Sequence, residues 1–400
     1  MARTIIDIHI LQSVPPSNLN RDDTGSPKSA VYGGVRRARV SSQAWKRATR
    51  NTFEELLPSS ALGVRTKKVA EVLADRIKEL NKSLEDADAV KLSAELMQTA
   101  TNSKMEVPKR KAKDGDTEDK AAPESSYLMF LSSRQLDTLA ALAVEASPDG
   151  DLNELKTFFK DRENKAKARQ AVNTRHSVDI ALFGRMVADS ADLNVDAATQ
   201  VAHAIGVHKS EIESDYFTAV DDKNEDHESG AGMIGSIDFN SATLYRYAAV
   251  DVNELHKNLG SGLDDDESAP TPAEKAVGAF VEAFITSLPT GKINTFGHHT
   301  LPAAVIVKLR TSRPISFVGA FEQPVRQGKD GGFMRASCER LAGYVPDLEK
   351  QYGDGADVPS WVLRVGPETD ALANLGTEVT RAQLVKDVED AVSRQLRDGA

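Results

Sequence analysis

Cationic side chains are concentrated in one segment near the amino terminus. Between Arg21 and Arg50 the chain has eight lysines and arginines and two aspartates, a local net charge of +6 in a protein whose formal net charge is -10. The remaining residues are therefore strongly acidic, and they would repel a polyanion over most of the surface. This distribution predicts one localised polyanion site rather than indiscriminate binding.

The residues between these cations are small or polar. Gly33 and Gly34 would let the backbone approach a ligand closely, while Ser41, Ser42 and Gln43 offer hydrogen-bonding groups before a helical pattern. A site that holds a nucleic acid of any sequence needs cations and donors aimed at phosphate and sugar, because those groups repeat. A solvated basic face is the alternative explanation of the same charges.

Two adjacent carboxylates in this segment suggest a different chemistry. Adjacent carboxylates such as Asp22 and Asp23 can hold a divalent ion for phosphoester cleavage. They lie beside Arg21 and have no third carboxylate at a recognisable spacing, so we expect them to order the loop through local hydrogen bonds. The histidines at 203, 208, 298 and 299 also lack a familiar ligand pattern. We therefore expect no catalytic residue, no metal and no cofactor.

The overall composition is that of an ordinary globular protein. Its 400 residues, 40% of them hydrophobic, predict two or three structural units. The single cysteine, Cys338, excludes an intramolecular disulfide framework and fits a reducing cytoplasm. The first residues do not resemble a signal peptide, and no run of about 18 apolar residues is present. We expect a cytoplasmic protein without membrane contact.

Periodicity places the basic segment between a strand and a helix. Residues 5–11 alternate as a strand with one buried face, which Pro15 and Pro16 are expected to end. Ser41 or Ser42 is the expected N-cap of a helix over 43–57 that packs through Trp45. The cations would thus lie on a loop, a short strand and a helix start.

The rest of the chain divides into a helical part and a β-rich part. Helical spacing predicts helices within 65–99, 133–146 and 152–172, interrupted by a polar, mobile insertion over 104–126. Residues 178–186 fit a short strand or a short helix equally well. Beyond them the pattern predicts a long hairpin within 201–252, a helix over 273–288, a strand over 303–309 and a terminal helix over 381–396.

Several segments resemble one known family. They are LNRDD at 19–23, YGGVRRARVSSQAWKRA at 32–48, VDIALFGRM at 178–186, AHAI at 202–205, DYFTAVDD at 215–222 and YRYAAV at 245–250. In this order they are similar to the CasC family, which supplies the repeated backbone subunit of type I-E CRISPR Cascade complexes. The resemblance covers most of the chain and is weakest near residues 60–175.

The resemblance implies an α+β fold shaped like a hand. An RRM-like (ferredoxin-like) palm would carry an inserted helical finger subdomain and a β-hairpin thumb. The implied segments are 1–60 for the first part of the palm with the basic strip, 61–175 for the finger with a flexible loop at 104–126, 176–200 for more of the palm, 201–245 for the thumb, and 246–400 for the rest of the palm and a C-terminal helix.

The resemblance also implies the residues that touch the guide RNA. Those matching the RNA-contacting motifs are Arg21, Lys28, Ser41, Gln43, Lys46, Arg50 and Met186. Those matching the apolar wedge of the thumb, which would lie beside a displaced nucleotide, are Tyr216, Phe217, Val220 and Ile234. Core packing is the alternative for Met186 and for the thumb residues, above all for Phe217. Arg36, Arg37 and Arg39 alternate along a strand, so some of them must point away from the RNA.

The implied function is that of a non-catalytic scaffold in RNA-guided DNA recognition. Several copies would assemble along one crRNA, hold its sugar-phosphate backbone and leave its bases free to pair with target DNA, beside the other Cascade subunits. Two alternatives remain open. One is a metal-dependent ribonuclease on the same fold that uses Asp22 or Asp23, and the other is a protein whose basic strip docks an acidic partner.

Overall fold

The computed structural model describes residues 3–108, 122–187, 190–219, 233–260, 271–329, 331–353 and 358–398. They belong to two compact units. Unit 1 comprises Met1–Leu56, Thr199–Val252 and Glu274–Ala400, and unit 2 comprises Leu57–Ala198 and Asn253–Ala273. Unit 2 thus extends beyond the predicted finger of residues 61–175, and the assignment of residues 176–200 to the palm stays a prediction.

The described residues contain strands and helices in alternating groups. The strands are β1 Ile5–Ser17, β2 Ser29–Tyr32, β3 Val35–Val40, β4 Gly63–Thr66, β5 Met105–Glu106, β6 Glu124–Ser125, β7 Met129–Ser132, β8 Thr199–Val201, β9 Ala204–Gly206, β10 Glu213–Ala219, β11 Met233–Asp251, β12 Ala304–Arg310, β13 Ser360–Arg364 and β14 Thr377–Glu378. The α-helices are α1 Ser42–Leu56, α2 Val69–Leu80, α3 Asp86–Thr101, α4 Ser133–Ala146, α5 Leu152–Phe158, α6 Arg162–Ala171, α7 Val178–Phe183, α8 Val252–Leu259, α9 Thr271–Thr286, α10 Ile293–Phe296, α11 Met334–Tyr352 and α12 Arg381–Asp398. Short 3-10 helices span Ser59–Ala61, Ala191–Leu193, Val318–Phe321 and Pro367–Leu375.

Unit 1 is built on one large sheet. Its strand order is β14-β13-β12-β1-β11-β9-β3-β2, and β8 and β10 also pair with β11. The pairs are antiparallel except for β13 and β14, which are parallel. A mostly antiparallel sheet combined with helices confirms the predicted α+β class.

The central strand β1 is buried on both faces, not on one as its alternation suggested. Asp7 and His9, the polar members of the alternation, are as buried as the isoleucines between them. The strand also continues through Pro15 and Pro16, although we expected it to end there. Its register with β11 shifts between Val14 and Ser17, so the prolines occupy an irregular stretch where ladder hydrogen bonds are already interrupted.

Burial of Asp7 is compensated by an ion pair and hydrogen bonds. Its carboxylate contacts the guanidinium of Arg310 and accepts hydrogen bonds from the Tyr247 hydroxyl at 2.8 Å and from the Ile315 amide at 2.9 Å. Arg310 also donates to Glu349 at 2.7 Å. This network joins β1, β11, β12 and α11 on one face of the sheet. It also allows the Asp7 charge to be buried, because a buried charge is tolerated only when it is paired.

The opposite face of the sheet carries α1 and α9. Trp45 and Phe53 of α1 are buried, as are Phe280 and Phe284 of α9. The α1 boundaries, Ser42–Leu56, agree with the predicted helix within one residue at each end. This face matters for function because α1 carries the last cations of the basic segment.

Unit 2 is mainly helical, as predicted. Its core consists of apolar residues from α2 to α6, including Leu73, Leu92, Leu139 and Leu155. The ambiguous segment 178–186 begins as the helix α7. The predicted insertion at 104–126 starts and ends in the paired two-residue strands β5 and β6, and residues 109–121 between them lie outside the described part of the chain.

Within the described residues, no helix has both the length and the apolar character that a bilayer crossing requires.

Candidate nucleic-acid interface

The two glycines of the basic segment form the turn of the β2–β3 hairpin. Tyr32 pairs with Val35 across them, and the φ angles of Gly33 and Gly34 are +58° and +78°. Positive φ at both central residues is typical of a two-residue type I′ turn. A Cβ on Gly33 would lie 1.6 Å from the carbonyl oxygen of Glu322. The close approach at Gly33 is therefore to the chain itself, not to a ligand as we expected.

The loop before β2 is ordered by its own carboxylate. One oxygen of Asp22 accepts hydrogen bonds from the Thr24 amide at 2.9 Å, the Thr24 hydroxyl at 2.7 Å and the Ser26 amide at 3.0 Å. The Thr24 hydroxyl is the main reason why the pKa of Asp22 is lowered. For Asp22, this is the local ordering role that the sequence predicted for the carboxylate pair.

The start of α1 is joined to the same loop. The Ser41 hydroxyl accepts a hydrogen bond from the Ala44 amide at 3.3 Å, so Ser41 is the N-cap. The Ser41 amide in turn donates to the side-chain oxygen of Asn20 at 2.9 Å. The Lys28 amide donates to the Asn20 carbonyl at 2.9 Å. Asn20 therefore sets the spacing between the loop, the β2 start and the helix start.

A distant segment completes the surroundings of this loop. Residues 288–292 follow α9, and a Cβ on Gly291 would lie 2.3 Å from the Leu19 carbonyl oxygen. Only a glycine permits this approach. The next residue, Lys292, has a left-handed backbone with φ +53° and an exposed side chain. This segment therefore places a cation next to the amino-terminal loop.

These elements enclose an open groove of about 1130 Å³. Its lining residues come from the loop, from α1 and from the segment after α9. They are Leu19, Asn20, Arg21, Asp22, Asp23, Thr24, Gly25, Lys28, Ser41, Gln43, Ala44, Arg47, Ala48, Asn51, Thr52, Glu55, Leu288, Pro289, Thr290, Gly291 and Lys292. Four cations and three carboxylates thus line a polar surface, with Asp22 already engaged in its own turn.

The groove brings together four of the predicted RNA-contacting residues, and it adds two that the sequence did not single out. The predicted ones are Arg21, Lys28, Ser41 and Gln43. The additional cations are Arg47, one helical turn after Gln43, and Lys292. The spacing of Arg47 from Gln43 was a usable signal in the sequence. Lys292 had none, because it is separated from the basic segment by more than 200 residues.

Lys46 and Arg50 do not line this groove. At roughly 100° per residue, Lys46 lies beside the buried stripe of α1, which consists of Trp45, Thr49 and Phe53, and Arg50 lies between that stripe and the side that lines the groove. Lys46 is half-buried, and burial lowers its pKa. Their role in RNA binding stays a prediction that the groove geometry does not decide.

The three arginines of β3 have different surroundings. Arg37 is fully buried and donates to the carbonyl oxygens of Gly206 at 3.0 Å and Phe321 at 3.1 Å. Arg39 lies 3.1 Å from the His203 ring nitrogen. Arg36 is exposed. Arg37 is thus a structural residue of unit 1 rather than an RNA contact.

Met186 belongs to unit 2 and is 83% exposed. The residues before it explain its position. Gly184 has a φ of +78° and packs against the Val195 carbonyl, and the buried Arg185 donates to the carbonyl oxygens of Leu193 and Val172, both at 2.9 Å. Core packing therefore does not account for Met186, and its contact with RNA stays a prediction.

The predicted hairpin is formed by β10 and β11. Tyr216 pairs with Ser236 and is 64% exposed. Phe217 pairs with Gly235 and lies over it, since a Cβ there would be 2.5 Å from the Phe217 ring. Val220 lies outside the described residues, as does the side chain of Ile234. The described part of the proposed wedge therefore consists of one exposed tyrosine and one phenylalanine that packs partly on its own hairpin.

The carboxylates and histidines of the described residues form no group of three or more that could hold a metal ion. The one carboxylate with a defined role in the groove, Asp22, uses its oxygen in the Thr24 and Ser26 turn.

The chain is similar to proteins of RNA-guided complexes over nearly its whole length. A family model described as "CT1975-like protein" matches residues 6–390. A chain from a solved "CRISPR RNA-guided surveillance complex, pre-nicking" is 34% identical, with a TM-score of 0.79 and with 97% of this chain and 100% of that chain covered. A chain from a second "CRISPR RNA-guided surveillance complex" is 31% identical, with a TM-score of 0.68 and coverage of 97% and 99%. None of the curated proteins matches the sequence.

Proposed function

Because this chain belongs to the family of CT1975-like proteins, which confirms its resemblance to CasC subunits, we propose that it is a crRNA-binding backbone subunit of a type I-E CRISPR Cascade complex. Its role is to hold the guide, without catalysing a reaction. Several copies assemble along one crRNA beside the other Cascade subunits. The bases remain free to pair with target DNA.

The groove is the observation that carries this proposal. Four cations, Arg21, Lys28, Arg47 and Lys292, surround a polar cleft large enough for a stretch of nucleotides. Cations, the Ser41 hydroxyl and the Gln43 amide suit phosphate oxygens and ribose hydroxyls, which every nucleotide presents. Such a site holds any guide with similar affinity, which is what a subunit repeated along a variable spacer requires.

The proposed assembly uses the hairpin of one copy as a thumb over the palm of the next. Tyr216 and Phe217 would lie beside a displaced nucleotide and replace part of its lost stacking. Unit 1 is then an RRM-like palm, and unit 2 contains the finger. The exposure of Tyr216 supports this role. Covering an exposed aromatic ring with a base or a protein surface removes apolar area from water, which lowers the free energy of the assembly.

Purification of the full chain with and without a co-expressed crRNA tests the proposal. We expect large, nuclease-sensitive assemblies with a high absorbance at 260 nm only when the crRNA is present. Two guides of unrelated spacer sequence should give the same assembly. A protein that stays monomeric with both guides under low-salt conditions would contradict the proposal.

The same preparation distinguishes the two alternatives. Incubation with RNA and Mg²⁺ would reveal a ribonuclease, whose activity should be lost in Asp22→Ala. An acidic protein partner would instead appear as an assembly that survives nuclease treatment. The described residues do not favour the ribonuclease, since Asp22 is engaged in a local turn.

A further inference from the structure

The hairpin of β10 and β11 leaves the large sheet close to Asp238. Residues 233–239 of β11 pair with β10, and from residue 240 onwards the same strand pairs with β1. Asp238 is thus the last residue but one in the hairpin part of β11, and Ser214 of β10 lies directly opposite it. The contacts of Asp238 therefore influence the direction in which the hairpin leaves the sheet.

The carboxylate of Asp238 joins the hairpin to the groove loop, by which we mean residues 19–28. One of its oxygens accepts a hydrogen bond from the Ser214 hydroxyl at 2.6 Å, and the other accepts one from the Ser26 hydroxyl. These two bonds, that from Ser214 more than that from Ser26, lower the pKa of Asp238. The Ser26 amide in turn donates to Asp22, whose turn lines the groove. Hydrogen bonds therefore connect the base of the hairpin to the groove lining.

A buried amide holds the same two segments together. The side-chain nitrogen of Asn18 donates to the Gly25 carbonyl at 2.9 Å and to the Asp238 carbonyl at 2.8 Å. Gly25 lines the groove. Both bonds are independent of the Ser26 hydroxyl, so they keep the groove loop in place beside β11 when that hydroxyl is removed.

The other wall of the groove also reaches the base of the hairpin. Lys292 lines the groove and immediately precedes α10, whose last residue is Phe296. The centre of the Phe296 ring lies 5.8 Å from that of Phe239, the residue after Asp238. Adjacent residues of β11 thus contact the groove loop and the segment after α9. RNA in the groove restrains both of these segments, and with them the base of the hairpin.

We propose that Asp238 is a positioning residue that couples RNA binding in the groove to the assembly of neighbouring copies. A guide orders the groove loop, and the Ser26–Asp238 bond then fixes the direction of the hairpin, which meets the next copy with less loss of conformational entropy. By thermodynamic linkage, a hairpin held by the next copy strengthens RNA binding by the same factor. This inference rests on the proposed function, which it deepens by naming a residue responsible for cooperative assembly.

A small rotation at Asp238 is sufficient for this coupling. The end of β10 lies five residues beyond Ser214, which is about 16 Å along the strand. A rotation of about 10° at the base displaces that end by about 3 Å. An apolar contact needs heavy atoms within about 4.5 Å, so a displacement of that size breaks it.

The test measures binding of the full chain to a short RNA that holds one copy and to a long RNA that holds several. Ser26→Ala removes the bond to Asp238 and leaves the Asn18 bonds and the Ser26 amide bond in place. Affinity for the short RNA should therefore stay within about twofold, with an unchanged melting temperature. Cooperativity on the long RNA should fall about fivefold. Asp238→Ala should have the same effect, and combining the two substitutions should lower cooperativity no further.

Two further variants are the matched controls. Ser214→Ala removes the other hydroxyl from the same carboxylate, but the strand pairing still holds β10 to β11. Ser26→Thr keeps a hydroxyl at the position that reaches Asp238. Both controls should assemble on the long RNA as cooperatively as the unmodified chain.

Three outcomes would overturn the proposal. If Ser26→Ala assembles as cooperatively as the unmodified chain, the coupling is refuted and the groove stands. If Ser26→Ala weakens binding to the short and the long RNA equally, the bond serves the groove alone and the coupling is again refuted. If the unmodified chain does not bind the short RNA, or binds the long RNA without cooperativity, the proposed function fails and the coupling fails with it.

Discussion

The guanidinium carbon of Arg246 lies 3.7 Å from the centre of the Trp45 ring. Both residues are buried, and Arg246 also donates to the Gln12 side chain at 2.7 Å and to the Phe284 carbonyl. This contact joins α1 to the central strands β1 and β11 and to α9. Because α1 forms one wall of the groove, the geometry of the candidate RNA site depends on it.

Trp45→Ala should therefore destabilise unit 1. Loss of a fully buried tryptophan costs about 3–5 kcal/mol, and the Arg246 charge loses the closer of two aromatic neighbours, the other being Phe284. Trp45→Phe should cost less, because a ring remains under the guanidinium. Urea unfolding followed by circular dichroism measures both changes, and a loss below about 1 kcal/mol for Trp45→Ala would contradict this role of the contact.

The two cations that the structure adds to the predicted set in the groove should contribute to RNA affinity. Arg47→Gln and Lys292→Gln are each expected to reduce the slope of log K against log salt by about 0.7, as one lost phosphate contact does for a single strand. Fluorescence anisotropy with a labelled crRNA gives the slope. Lys386→Gln, which removes an exposed cation of α12, is the control and should leave it unchanged. An unaltered slope for Lys292→Gln would remove the segment after α9 from the site.

The two cations of α1 that do not line the groove, Lys46 and Arg50, provide a separate test. If Lys46 and Arg50 also contact the guide, as the family motif implies, the double substitution to Ala should weaken both RNA retention and assembly of several copies. The salt slope should then fall by roughly 1.4, that is by two contacts. Normal assembly in this variant, together with a defect in Arg47→Gln, would confine RNA binding to the groove side of the helix.

The exposed ring of Tyr216 should matter for the guide but not for the fold. Tyr216→Ser removes a ring that is 64% exposed, so the melting temperature should change little. Chemical probing of the assembled crRNA is expected to show altered reactivity at regularly spaced nucleotides. The same pattern is expected after deletion of residues 222–232, which lie outside the described part of the hairpin. An unchanged reactivity profile in both variants would argue against the wedge.

Unit 2 should lose stability as the pH falls from about 6.5 to about 4. Burial, assisted by the charge of Arg185, lowers the pKa of His176 to about 4. The Gln135 amide lies 3.0 Å from the His176 Nδ1 atom, where it can donate only to an unprotonated nitrogen. Between these pH values the unfolded chain binds a proton at His176 that the folded chain does not, so unfolding becomes easier by up to about 1.4 kcal/mol per pH unit.

Hydrogen exchange of peptides from α4, corrected for the intrinsic rates, should report this loss. His176→Gln is expected to make the protection of α4 less dependent on pH in this range, whereas His299→Gln, which replaces an exposed histidine of unit 1, should not. Equal pH dependence in the unmodified chain and in His176→Gln would contradict the assignment.

Local patterns in the sequence predicted many elements of the fold. Periodicity and capping residues predicted the helices α1 and α4, the hairpin of β10 and β11, and the strand β12. The N-cap of α1, Ser41, is one of the two serines that we expected in that position. Predictions of burial failed where contacts with residues distant in the sequence decide whether a side chain is buried. Asp7 and His9 look like the solvent side of a strand, yet Arg310 and the aromatic residues around them allow both to be buried.

The sequence alone determined that the cations are concentrated near the amino terminus, and its motifs identified the family. The charge distribution and the motifs are both properties of residues that are adjacent in the sequence, so they can be read without a structure. Only the tertiary structure decided which cations share a surface: it buries Arg37, turns Lys46 away from the groove and brings Lys292 to the amino-terminal loop. The reason is that side-chain direction and contacts between distant segments depend on how the strands pair, and a charge count contains no information about that pairing.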